Sequence, residues 1–264
     1  MLKLIVCEFL KLKRKPLFFA SSLLSVLMPV AFTLLPSDAR SGADAVQDMM
    51  SCLFQLSAYL LLIPAVIILA ANLLFEEQDN DTLKNLTTVP VGRAQLAVAK
   101  LLVLLLFSIL FMAAGGLLVP VIVRLQGFEP AGFWRLFFVG LGEGIILWAG
   151  ALPCVLLVVA CNKSYIISVI ITFFYTIANY ILSTSDWFLT QPFGLNPGTL
   201  LPGPLAFRWF FRLYDHSDPG PELAALLERI RPYFLSHAQA FGAAAAEAAV
   251  FLTLIAAVYR RQEL

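Results

Sequence analysis

Six stretches of this chain are apolar for long enough to cross a lipid bilayer, and no other feature of the sequence limits its fold as strongly. They lie at roughly 17 to 35, 52 to 74, 101 to 123, 134 to 160, 165 to 182 and 239 to 258, each close to the about 20 helical residues needed to cross a hydrocarbon core of roughly 30 Å. In lipid every backbone donor and acceptor must find its partner within the protein, so runs of this length are helices; the alternating pattern of a membrane barrel is absent. Composition agrees, with 60% of the 264 residues apolar and only 13% charged, far from the balance of a soluble domain. The expected fold is an all-α integral membrane protein with six transmembrane helices. No repeat at solenoid spacing and no second soluble domain interrupts it, so residues 1–264 form one membrane domain.

Basic residues are retained on the cytoplasmic side of a membrane. Lys3, Lys11, Lys13, Arg14 and Lys15 precede the first run, Lys84, Arg93 and Lys100 follow the second, Lys163 follows the fourth, and Arg260 and Arg261 follow the last. These positions alternate along a six-span chain, which places both termini in the cytoplasm. The rival for the first run is a cleaved leader ending near Ala43 to Ala45, but the run exceeds the roughly 7 to 15 apolar residues of a leader. Cys7, Cys52, Cys154 and Cys161 show no paired spacing and read as packing residues.

Residues 1–16 carry Leu2, Ile5, Val6 and Phe9 at helical spacing among lysines, the pattern of an amphipathic helix on the inner leaflet, with Pro16 turning the chain into the membrane. A plain positive anchor is the alternative. The four-residue break at Cys161 to Ser164 makes the fourth and fifth spans a tight hairpin. The external segment, 183–238, reads as two short helices. One mixes Trp209, Phe210, Phe211 and Tyr214 with Arg208 and Arg212, suited to the headgroup level, and the other runs from Pro221 to Phe234. An aromatic plug that caps the bundle is the alternative for the first.

Between the second and third runs lies a polar island, FEEQDNDTLKNLTTVPVGRAQLAVAK, at Phe75 to Lys100. Asp79 or Asp81 can cap a short helix there, and Pro90 stops it because proline has no amide donor. That helix would hold Leu83 and Leu86 outside the bilayer, where water does not favour them, so the segment 75–100 reads as a docking surface for a partner with an apolar groove.

Signatures of chemistry are missing. There is no GxxxxGK[ST] phosphate loop, no HExxH, no CxxC and no GxSxG. Neither catalytic nor metal residues are assigned; His216 and His237 read as solvated loop residues, and no nucleic-acid partner or bound cofactor is implied. Glu143 and Glu247 do need an account, since an acid at the bilayer centre costs about 2.5 to 3.5 kcal/mol on insertion scales. Either the two acids line a path for a cationic or amphipathic substrate, or each pairs with an arginine such as Arg124 or Arg135 or stays protonated. Glycines 140, 142 and 144 and the alanines around Glu247 let neighbouring helices approach closely. A proton relay would need more ionisable groups than these two.

The layout, with EFLKLKRKP at Glu8 to Pro16 and FEEQDNDTLKNLTTVPVGRAQLAVAKLL at Phe75 to Leu102, resembles the permease subunit of a type-2 ATP-binding cassette exporter. Within that family it looks most like the permeases that protect bacteria against bacitracin and lantibiotics. The resemblance implies a coupling helix in the island, with Glu76, Glu77, Asp79, Asp81, Thr82, Leu83, Leu86, Pro90 and Arg93 contacting the ATPase. Asp81 stands where members often have glycine, and it still suits a helix start.

What the resemblance further implies is a division of labour. ATP and magnesium would be bound by separate ATP-binding cassette subunits, and a second permease, identical or paralogous, would complete the pathway in a bacterial plasma membrane among its lipids. The implied task is expulsion of a peptide antibiotic from the membrane. The alternatives are export of another hydrophobic or amphipathic substrate, a non-transporting membrane subunit of a larger complex, or an integral enzyme of lipid metabolism, whose paired Asp or His constellations are missing.

Overall fold

The computed structural model describes residues 2–33, 39, 41–79, 92–161, 165–214 and 221–261. Among these residues every regular element is helical. Helix α1 (Leu2–Leu12) meets α2 (Pro16–Phe32) at a bend of 79°. Lys15, extended as a residue before proline must be, makes the corner. The expected apolar face of α1 is divided by its packing against the third span: Ile5 and Phe9 sit on the core with Glu8 and Leu12 buried, while Leu2, Val6 and Leu10 form an exposed stripe four residues apart. Glu8 is buried because Lys11 pairs with it at 2.6 Å.

The second span is longer than expected. It begins at α3 (Gly42–Cys52), continues as a π-helical stretch, Leu53–Leu62, and ends with α4 (Ile63–Asp79). Ser41 caps it, its hydroxyl accepting from the Asp44 amide at 3.2 Å, and helix-forming Ala, Gln and Met residues carry it into the membrane. The helix therefore begins ten residues before the apolar run that starts at 52. Asp79, one of the two expected caps, is the last described residue of α4, and the other, Asp81, lies outside the described residues.

Helix α5 (Arg93–Leu125) also starts earlier than the expected 101, since Ala94 to Ala99 favour helix and Lys100 finds a partner inside. Two glycines in left-handed conformation, Gly127 (φ 88°) and Gly132 (φ 72°), turn the chain into α6 (Phe133–Ala160). Then come α7 (Tyr165–Ser183), four short helices α8 (Asp186–Leu189), α9 (Pro197–Leu200), α10 (Pro202–Phe210) and α11 (Pro221–Ile230), and the long α12 (His237–Arg261). Two short helices were expected where these four stand.

Five helices among the described residues are long and apolar enough to span a membrane, and the bent α1 and α2 pair supplies a sixth if counted as one span. Helix α6 is the centre of the bundle, packed against α4, α5, α10 and α12. Its Gly140, Gly142 and Gly144 make this possible. A Cβ at Gly142 would lie 2.7 Å from the Trp209 ring, one at Gly140 2.8 Å from Phe54, and one at Gly144 3.1 Å from the Ser108 carbonyl oxygen. Small residues also join α2 to α5, where the Ser25 hydroxyl donates to the Phe111 carbonyl at 2.7 Å beside Gly115.

Candidate functional site

The island lies between α4 and α5. Asp81, Thr82, Leu83, Leu86 and Pro90 fall outside the described residues. The backbone of Glu76, Glu77 and Asp79 forms the last turn of α4, and Arg93 opens α5. The island is thus bracketed by two helix ends, and what holds those ends is visible.

Lys100, about two turns into α5, is buried. Its ammonium donates to the Leu73 carbonyl of α4 at 2.5 Å and lies 6.0 Å from the centre of the Tyr259 ring on α12. Burying an ammonium is costly unless polar partners replace water; here one cation ties together the two helices flanking the island and the last span. Trp148 adds α6, its indole N–H donating to the Leu101 carbonyl at 3.0 Å. Sequence reasoning read Lys100 as a loop cation. Its signal was only that it follows Leu96 and Ala97 by helical spacing, both of which are buried.

At the opposite end of the bundle the segment after α7 folds into a lid. Its centre is α10, whose residues are all buried. Phe54 of the π-helical stretch stacks on Tyr214 at 6.2 Å and meets Phe210 edge-on at 5.3 Å, and the Tyr59 hydroxyl donates to the Gly203 carbonyl at 3.1 Å. The close seating depends on Gly203 and Gly150: a Cβ on Gly203 would lie 2.5 Å from the Asn179 carbonyl oxygen, and one on Gly150 2.2 Å from Pro202.

Arginines fasten the lid through backbone carbonyls. Arg208, wholly buried, donates to Gln191 O at 2.5 Å and to the Thr199 hydroxyl at 3.3 Å; burial pulls its guanidinium down to about 10. Arg135 of α6 donates to Leu213 O at 2.6 Å and Arg212 to Leu235 O at 3.3 Å. Trp209 donates to Nδ1 of His237 at 3.0 Å, joining the lid to the first residue of α12. His237 was expected to be a solvated loop residue; it is exposed, but it opens α12 and its ring accepts from Trp209 of the lid. His216 lies outside the described residues.

The two acids occupy different neighbourhoods. Glu143, ten residues into α6 and so about 15 Å from its start, is fully enclosed, and neither carboxyl oxygen has a hydrogen-bond partner among the described residues. Glu247 is on the buried side of α12. The expected pairing of Glu143 with Arg135 does not form, because Arg135 is already turned to Leu213 O. Arg124 is exposed at the end of α5.

Residues 4–179 match the family model described as ABC-2 family transporter protein. The chain belongs to that family. No curated protein sequence matches it significantly. The matched stretch runs from α1 into α7 and contains the island, the Lys100 junction and Glu143, whereas the lid and α12 follow it. As an ABC-2 type permease, the chain is a multi-pass membrane protein of a family whose ATP hydrolysis generally resides in a separate ATP-binding cassette subunit.

Proposed function

We propose that this permease is the membrane subunit of an ATP-driven exporter in a bacterial plasma membrane, and that it confers resistance to a membrane-active peptide of the lantibiotic or bacitracin kind. In this reading both termini and residues 75–100 are cytoplasmic, an ATPase that binds ATP and magnesium docks on Leu83 and Leu86, and a second permease, identical or paralogous, completes the pathway.

The observation that carries the reading is the Lys100 junction. A push on residues 80–91 moves the ends of α4 and α5, and Lys100 joins both to Tyr259 near the end of α12. Helix α12 is unbroken for 25 residues, about 37 Å at 1.5 Å per residue. Its other end holds His237 against Trp209 of the lid. A displacement at the cytoplasmic end thus has a rigid route to the external one, and Glu143 lies beneath the lid where a cationic part of a cargo would pass.

The test is to express the permease with its cognate ATPase and replace Leu83 and Leu86 by glutamate. Two charges in an apolar groove should reduce ATPase co-purification and peptide resistance by at least about tenfold, the factor given by roughly 1.4 kcal/mol. Full resistance with both substitutions and normal protein levels would remove the island from the ATPase contact.

A further inference from the structure

A trough runs along the lipid-facing side of the bundle between α6 and α12. At the lid end it begins as a cavity of about 400 Å³ bordered by Arg135, Phe138, Trp209 and His237. A second cavity of about 450 Å³ continues it, bordered by Trp148 and Ala149 on α6 and by Ala244, Ala245, Ala248 and Ala249 on α12. Phe241 borders both, and the residues that α12 contributes follow one another along the helix, His237 and Phe241 at the mouth and then Ala244 to Leu252. From His237 to Leu252 the trough spans sixteen residues of α12, about 22 Å of helix. That is somewhat more than half of a hydrocarbon core of roughly 30 Å, the depth of one leaflet with its interface.

The two parts differ in chemistry as the two parts of a lipid do. The deep part has alanines for its floor and an indole wall, with no charged side chain bordering it. The mouth holds Arg135, whose hydrogen bond among the described residues goes to a carbonyl oxygen, Leu213 O, which orients the guanidinium but cannot neutralise it. Among the described residues no carboxylate borders either cavity. His237 accepts the Trp209 N–H at Nδ1, which leaves Nε2 as its donor in the neutral ring. Exposed Trp134 and Phe138 on the same turns of α6 mark this level as the membrane interface.

We infer that this trough binds an anionic phospholipid of the adjoining leaflet, with the headgroup phosphate at Arg135 and His237 and one acyl chain along the alanine floor. Charge complementarity selects the headgroup, and the depth of the trough matches a chain held in one leaflet. The site is independent of the ATPase, so its test stands apart from the function proposed above.

Tryptophan fluorescence reads the occupant directly, because Trp148 and Trp209 border the trough and are almost wholly shielded from bulk lipid. The full chain carrying Trp134→Phe and Trp187→Phe, which removes the two exposed indoles, is reconstituted in phosphatidylcholine vesicles containing increasing phosphatidylglycerol brominated on its acyl chains. Quenching should saturate at a low fraction of the brominated lipid, with an association constant about fivefold above that of brominated phosphatidylcholine, the factor one cation is worth against an anionic lipid. Arg135→Gln should bring that ratio close to about one while leaving acyl access intact. Ala249→Phe, which fills the floor, should reduce quenching by both lipids.

Equal quenching by the two brominated lipids in the parent protein would overturn the headgroup assignment. An absence of quenching would overturn the site altogether, since a second copy or another protein would then cover the trough. Circular dichroism and elution volume matching the parent keep loss of fold from being read as loss of lipid.

Discussion

At the end that carries the island, three helices meet around a single ammonium group, whereas at the opposite end the lid is held by stacked rings and by arginines that donate to backbone carbonyls. The first arrangement concentrates a helix junction in one side chain. The second spreads it over many contacts, so no single loss frees the lid. A bundle built to receive force at one place and to close over a pathway at another would be expected to differ in this way: one narrow connection transmits displacement, and a broad one seals. Helix α12 touches both, at Tyr259 and at His237.

The comparison breaks if Lys100 is dispensable. Lys100→Met keeps the stem and removes the charge, leaving the Leu73 carbonyl without its ammonium donor. Cargo-stimulated ATPase activity of the reconstituted pair should fall on the order of tenfold, within the 1–3 kcal/mol usual for coupling between sites, while basal hydrolysis by the ATPase stays. A variant that stimulates normally would remove the junction from the account.

Gly142→Leu sharpens the other half. The added side chain must displace the Trp209 ring, which a Cβ alone would approach to 2.7 Å, and overpacking of this kind costs about 1–3 kcal/mol. The melting temperature in detergent should drop by several degrees, and a lid that was only loosely seated would show no change.

The smallest effect is expected at the rim. Arg229 and Asp186 form an ion pair between α11 and α8 that is half exposed on both sides, so Arg229→Ala should change stability by less than about 1 kcal/mol. A larger loss would mean that the lid hangs on its edge and not on its aromatic centre.

Much of the fold was legible because lipid permits few choices. The apolar runs at 134 to 160 and 165 to 182 match α6 and α7 nearly residue for residue. The polar ends were harder: α3 and α5 extend into sequence that reads as loop, since Ser41, and the Leu73 carbonyl that accepts from Lys100, supply partners which hydropathy does not register. The π-helical stretch, Leu53–Leu62, was not legible in the apolar run that contains it. Glu143 was recognisable as an acid out of place, but its separation from Arg135 was not, because the carbonyl that claims Arg135 is Leu213 O, 78 residues away. The burial of Lys100 was missed for the same reason, since its partners come from two other helices.

The central claim is that movement at the island reaches the lid through Lys100 and α12. Spin labels at Leu195 on the lid and Leu125 at the end of α5, both strongly exposed, can be introduced as cysteines in a chain with Cys7→Ser and Cys161→Ser and measured by pulsed electron resonance with the ATPase bound. The account predicts that trapping the ATPase with nucleotide changes the distance between them, and that Lys100→Met abolishes the change while the ATPase remains bound. An unchanged response in Lys100→Met, or a fixed distance during full ATP turnover in the parent, would contradict it.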